Sequence, residues 1–317
     1  MENRLQRAYS TGLDSHKFNI SFDFEELEYI KFVERLQDIL TYSGVMYDDS
    51  MLETARKIFK FNRDGFPFRG YNVYIRSYDG VCILELKFNL TRDGYRVTFD
   101  FYGLNQYNAY SATLSDLSEL RRNTHYNVIQ YILYDRQNEH LIIDHMSVEV
   151  SIDYTNVKFR NTAILKTNGE YVRPDPIEEE TKNMYSRVRR IGGDGKHNED
   201  NALYSTQIIV NVYDKANKNN LNFDLLRVEY KIGRIGLSRC IENNVLDEQM
   251  LFNLLGRFRV LAFDKKETLT RHIRYREVLK PKERAKTIDK FINKYELIDI
   301  HRVREEFINT LAGVSYT

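Results

Sequence analysis

The chain has 317 residues, of which 42% are hydrophobic, enough to bury the core of one large domain or two modest ones. A formal net charge of +1 excludes a general electrostatic attraction of the whole chain to nucleic acid. Two cysteines, Cys82 and Cys240, are too few for a disulfide framework and favour a reducing compartment.

The N-terminal segment lacks the apolar stretch of a signal peptide, and no run approaches the roughly 18 apolar residues of a membrane helix. The sequence therefore predicts a cytoplasmic protein (in the host cytoplasm if a phage encodes it) without membrane contact. The 23 tyrosines and 18 phenylalanines could stack on nucleic-acid bases, but core packing accounts for most of them.

The N-terminal half alternates between strand and helix patterns. A strand is predicted over residues 17–24, and the helix after it places one apolar stripe on Phe32, Leu36, Ile39 and Leu40. Residues 71–90 form two alternating runs joined by Asp79-Gly80, which predicts a β-hairpin. A further strand is predicted over residues 95–103. A helix should follow within residues 111–135, with its N-cap at Ser111, Thr113 or Ser115.

The segment from His145 to Asn156 alternates strictly between polar and apolar residues. Its even positions are apolar from Met146 to Ile152, and its odd positions are Ser147, Glu149, Ser151 and Asp153. Because a strand directs alternate side chains to opposite faces, one face should enter the core while the other carries two carboxylates.

Two later segments, residues 205–215 and 224–233, repeat this design. Residues 167–201, with two prolines and mixed charges, separate them from the first strand and are predicted to be an insertion or mobile loop. If the three strands are neighbours, one surface carries Glu149, Asp153, Tyr213, Lys215, Arg227, Glu229 and Lys231. This face is either the ordinary solvated side of an antiparallel sheet or a site for a divalent metal beside a phosphate.

After residue 236 the periodicity becomes helical, with helices predicted over residues 245–258, 282–297 and 301–313. The predicted fold class is α+β, with a mixed or antiparallel sheet that has one polar, catalytic face and flanking helices. The predicted division places an α+β domain at residues 1–240 and a small, basic, helical region at residues 241–317.

Three short motifs, SVEVSID, VNVYDK and LRVEYKI, resemble in their order the replication initiators of rolling-circle plasmids, conjugative relaxases and the gene II-type nicking proteins of filamentous phages. The resemblance covers roughly residues 80–235. Two positions depart from the family's pattern: Ser147 replaces an arginine of the first motif, and no acid follows Lys215.

The resemblance implies a metal-dependent, site-specific DNA endonuclease and strand transferase. In such an enzyme a tyrosine attacks a phosphodiester, stays joined to the 5′ phosphate, and leaves a 3′ hydroxyl that primes rolling-circle replication. On this reading the nucleophile is Tyr213, and Lys215 and Arg227 neutralise charge on the phosphate. The ligands of a Mg²⁺ or Mn²⁺ ion would be Glu149, Asp153 and Glu229. Tyr230, Tyr275 and Tyr295 remain alternative nucleophiles.

The implied partner is origin DNA, as a single strand or supercoiled duplex, and a host helicase is a further candidate. Residues 256–286 carry eleven basic against four acidic residues, and a second basic cluster spans residues 187–197. Such segregation favours a phosphate-binding surface. The predicted DNA-binding residues are Arg187, Arg189, Arg190, Arg271, Arg274, Arg276, Lys280 and Lys282.

Two other functions are compatible with the same residues. A DNA-binding phage or plasmid accessory protein on this scaffold would bind DNA with a steep salt dependence and without a metal. A phage structural or assembly protein would have no measurable affinity for DNA.

Overall fold

The structure is a computed structural model that describes residues 9–22, 26–45, 50–63, 70–111, 113–134, 141–166, 171–172, 208–263, 290, 292–311 and 315–316. Its strands are β1 (Ser10–Phe22), β2 (Tyr71–Arg76), β3 (Cys82–Thr91), β4 (Gly94–Tyr102), β5 (Ile143–Tyr154), β6 (Thr162–Lys166), β7 (Tyr171–Val172), β8 (Ile208–Asp214), β9 (Leu226–Gly233), β10 (Ile241–Glu242), β11 (Val245–Leu246), β12 (Phe258–Ala262) and β13 (Ser315–Tyr316). Its helices are α1 (Glu26–Tyr42), α2 (Ser50–Arg63), α3 (Asp116–Tyr134), α4 (Lys215–Asn219), α5 (Arg234–Cys240), α6 (Glu248–Leu255) and α7 (Ile300–Thr310).

A seven-stranded sheet in the order β2-β3-β4-β1-β5-β9-β8 organises the fold, and every neighbouring pair in it is antiparallel. Two small three-stranded sheets, β10-β11-β13 and β12-β6-β7, lie beside it. The predicted α+β class with a large antiparallel sheet is confirmed.

Several local predictions are confirmed by the elements that form. The 71–90 hairpin folds around Gly80, whose φ of 77° suits glycine, and the Gly80 amide donates to the Ser77 carbonyl at 2.9 Å. Helix α3 is capped by Ser115, whose hydroxyl accepts from the Ser118 amide at 3.2 Å. The stripe of α1 is buried at Phe32, Leu36 and Leu40.

All the described helices that build the core pack on one face of the large sheet. Helices α1, α2 and α3 cover the half made of β1 to β4, and their apolar side chains form one buried cluster with residues such as Phe18 and Phe99. Helices α5, α6 and α7 cover the half made of β5, β9 and β8 in a second cluster. The opposite face of the sheet is left to polar residues, as expected when one face alone is packed.

The region after residue 240 contributes to this second cluster. Leu251 of α6, Val260 of β12 and Phe307 of α7 are buried together with Val150 and Val228 of the sheet. Strand β12 was not predicted, because its five residues lie inside a stretch whose periodicity is helical. The described part of the C-terminal region therefore packs directly against the sheet.

Three histidines meet on the packed face beneath β1 and β5. His16 contacts His125 of α3 through Nδ1 at 2.9 Å and His145 of β5 through Nε2 at 3.0 Å. Burial, together with the neighbouring imidazoles, lowers the pKa of His16 well below its ordinary value. His16 therefore stays uncharged near neutral pH, and each of its two hydrogen bonds uses one imidazole proton.

We expect acid to destabilise the fold through this histidine row. Burial lowers the pKa of His125 to about 4 in the folded chain, whereas a histidine in an unfolded chain titrates at about 6.5. The unfolded chain therefore binds the proton first, and stability present above pH ~6.5 is lost as the pH falls towards ~4. Denaturant unfolding at about pH 5 should show a loss of about 2 kcal/mol relative to about pH 7.

The His125→Gln variant keeps a polar side chain but does not titrate in this range, so its stability should decline less on acidification. His301→Gln is the matched control because His301 is exposed. An equal decline in the wild type and in His125→Gln would contradict the assignment.

Candidate metal centre

The three motif strands lie side by side as β5, β9 and β8. In the β5–β9 register Asp153 pairs with Arg227 and Ser151 with Glu229, while in the β8–β9 register Tyr213 pairs with Arg227. Side chains that are far apart in the chain therefore share one face of adjacent strands, opposite the helices.

Three buried carboxylates on this face form an acidic group. Asp14 of β1, Glu149 of β5 and Glu229 of β9 each offer one oxygen, and these oxygens all lie within 4.8 Å of one another. Carboxylate oxygens at this spacing suit a hard divalent cation. The acidic group could therefore hold a metal ion.

A β-bulge brings β1 into the centre. Leu13 pairs with Val150 and Ser15 with Glu149, so Asp14 is an additional residue on β1 at that point. A bulge redirects side chains relative to simple alternation. Asp14 consequently joins the polar face, where Ser15 also contacts Glu149 at 3.4 Å.

The carboxylates repel one another in their buried setting. Burial raises the pKa of Glu229 to about 7, and the charges of Glu149 and Asp14 raise it in the same direction. Lys231 offsets part of this charge through an ion pair with Glu149 at 3.2 Å. A bound cation would relieve the remaining repulsion, which is a physical reason for the acidic group to prefer an ion.

Arg227 ties the polar face together from a fully buried position. Its Nε donates to Asp153 at 2.8 Å and its second terminal nitrogen donates to the other Asp153 oxygen at 2.8 Å. The guanidinium also bonds Asp14 at 3.1 Å and the Asn105 carbonyl. Burial alone would lower the pKa of Arg227, but Asp153 and Asp14 raise it well above its ordinary value.

Asp153 therefore serves the ion pair and is not in the acidic group. Besides Arg227, its carboxylate accepts from the Tyr107 hydroxyl at 2.8 Å and from the Asn105 side chain at 3.3 Å. These donors occupy the oxygens that a metal would need. Of the three predicted ligands, Glu149 and Glu229 lie in the acidic group, while Asp14 takes the place predicted for Asp153.

The Tyr213 hydroxyl lies against the acidic group. It donates to a Glu229 oxygen at 2.5 Å, and the side chain is only 1% exposed. Burial raises the pKa of Tyr213 well above its ordinary value, and Glu229 raises it further. The hydroxyl is thus protonated and already directed towards a carboxylate that can accept its proton.

Lys215 lies at the same edge of the centre, at the start of α4. Its ammonium donates to Gln106, which in turn donates to Asp14 at 2.9 Å. Burial and the nearby Arg227 charge lower the pKa of Lys215 to about 8. The centre therefore combines three carboxylates, a phenol and a buried ammonium.

Sequence reasoning missed three residues that the fold places here. Asn105 and Gln106 lie in the segment after β4, where their amides bind Asp153 and Asp14. Asp14 precedes the strand predicted from Lys17, and the residues before it, Ser10 to Leu13, do not alternate between polar and apolar. The bulge hid its orientation.

The predicted DNA-binding residues all fall outside the described residues, as do most of the 167–201 segment and Tyr275. Of the other alternative nucleophiles, Tyr230 is buried on the packed face, and its hydroxyl donates to the Phe258 carbonyl at 3.2 Å. The Tyr295 ring packs against Phe263 at a tilt of 32°, with the ring centroids 4.6 Å apart. Neither contact belongs to the acidic group.

No protein-family model matches the chain, and no curated protein matches it. Within the part of the chain that the structure describes, no helix has the length and apolar character needed to cross a membrane.

Divalent cations should raise the melting temperature of the protein because an ion that binds only the folded state stabilises it. With Mn²⁺ at about 100 times its Kd, the gain would be about 2.7 kcal/mol. Glu229→Gln should abolish the Mn²⁺-dependent shift while keeping an acceptor for Tyr213. Differential scanning fluorimetry with Mn²⁺ and with EDTA measures both effects.

The metal-free Glu229→Gln protein should be at least as stable as the metal-free wild type, since one repelling charge is gone. Glu34→Gln, the same change on the exposed surface of α1, should leave the Mn²⁺ shift intact. A full Mn²⁺ shift in Glu229→Gln would refute the centre.

Removing Arg227 should be strongly destabilising because the buried carboxylates of Asp153 and Asp14 would lose their cationic partner. Arg227→Met is expected to cost about 3–5 kcal/mol in denaturant unfolding. The double variant Arg227→Met, Asp153→Leu should recover much of that loss. Arg234→Met is the control, since its 3.7 Å pair with Asp144 is exposed and should contribute less than about 1 kcal/mol.

Proposed function

We propose that the protein is a divalent-metal-dependent DNA nicking and joining enzyme that initiates rolling-circle replication. The observation that carries the proposal is the convergence of Asp14, Glu149 and Glu229 beside the Tyr213 hydroxyl. A phenol bonded to a carboxylate at the edge of a metal site has the parts needed for phosphodiester transesterification.

The donor set favours Mg²⁺ or Mn²⁺ as the ion, because all three ligands are carboxylate oxygens and no thiolate or imidazole takes part. When bound, the ion would polarise a phosphate oxygen and stabilise the charge that develops on it. Asp14, Glu149 and Glu229 would hold it, and Lys231 would keep Glu149 in place.

Tyr213 and Glu229 would carry out the proton transfer. The Tyr213 oxygen attacks phosphorus as its proton passes to the Glu229 carboxylate, with which it already shares a hydrogen bond. The new oxygen–phosphorus bond replaces the bond from phosphorus to the 3′ oxygen. Without a metal the pKa of Glu229 is about 7, and a bound cation would lower it, so the carboxylate would be ionised and able to accept the proton.

Lys215 would return a proton to the departing 3′ oxygen, since the pKa of its ammonium falls to about 8. Arg227 would act differently from the role that the sequence predicts for it. Its nitrogens are committed to Asp153, Asp14 and a backbone carbonyl, so it would position the carboxylates without touching the phosphate.

The burial of Tyr213 sets a condition on this chemistry. The ammonium of Lys218 lies 4.5 Å from the centre of the Tyr213 ring, and the phenol is only 1% exposed. Substrate binding would have to displace this cover before the phosphorus could reach the hydroxyl.

The same burial favours a second candidate function, DNA binding without cleavage. A covered Tyr213 whose raised pKa keeps it protonated would also be expected in a protein that no longer cleaves DNA. On that reading the acidic group has a structural role, and DNA binding does not depend on a metal.

The proposal predicts a covalent adduct between the protein and DNA. Supercoiled plasmid carrying the DNA that surrounds the gene is incubated with protein and Mn²⁺, and the products are separated under denaturing conditions. The wild type should form an adduct that EDTA abolishes. Tyr213→Phe should form none, because it lacks the attacking oxygen, and Glu229→Gln should reduce the rate by about 100-fold or more.

Tyr295→Phe and Tyr275→Phe are matched controls and should react like the wild type. An adduct that persists in Tyr213→Phe would move the nucleophile to another tyrosine. Metal-independent DNA binding without any adduct would favour the second function.

A further inference from the structure

A polar groove lies on the open face of the sheet beyond the metal centre. It has a volume of about 310 Å³ and crosses β3, β4 and β1. Its lining includes three cations and three neutral polar side chains: Lys17, Lys87, Arg96, Asn19, Asn89 and Thr98.

The register arranges these side chains in rows across the strands. Lys87 and Asn19 both pair with Thr98, and Asn89 pairs with Arg96. Each row is separated from the next row on the same face by two residues, or about 7 Å along the strand. The groove therefore presents polar groups at regular intervals across the sheet.

The groove leads towards the metal centre. Lys17 pairs with Ser147 of β5, and Ser15, the next residue of β1 on the same face, pairs with Glu149. The groove and the acidic group are thus separated by a single same-face step of about 7 Å. A ligand lying in the groove would have its next unit at the acidic group.

Two of the groove's cations lack an anionic partner among the described residues. Arg96 is half-buried, and its Nε is buried with no hydrogen-bond partner there. Lys87 is exposed and forms no ion pair within the described part of the chain. No described acid neutralises either side chain by an ion pair, which leaves the Lys87 ammonium and the terminal nitrogens of Arg96 available to an external anion.

The acids of the groove are already engaged. Asp100 accepts from Lys17 at 2.6 Å, and Glu85 accepts from the Asn72 amide at 3.0 Å. The salt bridge neutralises Asp100 and Lys17 together, whereas Glu85 keeps its charge because its donor is a neutral amide. Three cations against two acids give the groove a net charge of +1.

Exposed tyrosines lie on the same face. Tyr74 pairs with Glu85 and is 44% exposed, while Tyr102 pairs with Ser15 and is 39% exposed. A cationic groove flanked by accessible aromatic rings is the arrangement by which proteins hold single-stranded nucleic acid, with phosphates on cations and bases stacked on rings.

We infer that this groove binds the backbone of a single-stranded DNA segment next to the phosphodiester that reaches the acidic group. Lys87 and Arg96 bind successive phosphates, and Tyr74 and Tyr102 stack against bases. The inference rests on the proposed function for its choice of substrate, but it concerns binding and needs neither metal nor cleavage.

The test is the fluorescence anisotropy of a fluorescein-labelled oligothymidylate strand titrated with protein in EDTA at several salt concentrations. Lys87→Ala with Arg96→Ala should weaken binding about tenfold or more. The slope of log affinity against log salt should fall by about 1.4, which corresponds to two lost phosphate contacts on a single strand.

Tyr74→Leu should weaken binding without changing that slope, since it removes stacking and no charge. The matched control is Lys31→Ala with Arg35→Ala, two exposed cations of α1 on the opposite side of the sheet, which should bind like the wild type. Circular dichroism confirms that each variant is folded.

Glu229→Gln separates this inference from the proposed function. It should lose the covalent adduct and keep oligothymidylate binding in EDTA. Absence of an adduct in the wild-type protein, with groove-dependent binding intact, would overturn the nicking proposal alone. Wild-type affinity and salt slope in the Lys87→Ala, Arg96→Ala protein would overturn the groove.

Discussion

The buried ion pair between Arg227 and Asp153 is the interaction on which the polar face depends. A charge in the interior is tolerated only when it is paired and fully hydrogen-bonded, and here one guanidinium bonds β5, the β1 bulge and the Asn105 carbonyl. That demand fixes Asp14 beside Glu149 and Glu229. The closeness of the three carboxylates, which is unfavourable by itself, follows from the satisfaction of one arginine.

The sequence predicts the parts of this site that follow the regular alternation of a β-strand. It does not predict the parts that depend on a β-bulge, where that alternation is broken. Alternation correctly places Glu149, Tyr213 and Glu229 on one face, because the pleat reverses at every residue. It cannot assign Asp14, since a bulge shifts the alternation and is visible only in the pairing of β1 with β5. Nor can it separate Asp153 from the acidic group, because the two-point pairing of Asp153 with Arg227 depends on how the strands are placed.

The same limit applies to the rest of the fold. The hairpin at Gly80 and the stripe of α1 are local features and are readable from neighbouring residues. The histidine row joins His16 of β1, His125 of α3 and His145 of β5. It cannot be predicted from residue spacing, because no two of the three lie in the same helix or strand. The two faces of the sheet thus differ in how they avoid unpaired buried charge: on the packed face burial keeps His16 and His125 neutral, whereas on the polar face Arg227 pairs with Asp153.

The burial of the Tyr213 side chain beneath α4 links the fold to the proposed chemistry. Tyr213 is the second-last residue of β8, and Lys218 of the five-residue helix α4 lies over its ring. Helix α4 is anchored at its start by the Asp214 side chain, which accepts from the Asn217 amide, and by the Lys215 amide, which donates to the Leu225 carbonyl at 2.8 Å. Such a short helix has few hydrogen bonds to lose, so it can open at far lower cost than the sheet that carries the carboxylates. A bound DNA strand whose phosphates pair with Lys215 and Lys218 would favour the form in which α4 has moved away from Tyr213. Under the proposed function, DNA binding and exposure of the Tyr213 hydroxyl would then be one equilibrium, and without DNA the phenol would stay protonated and away from water.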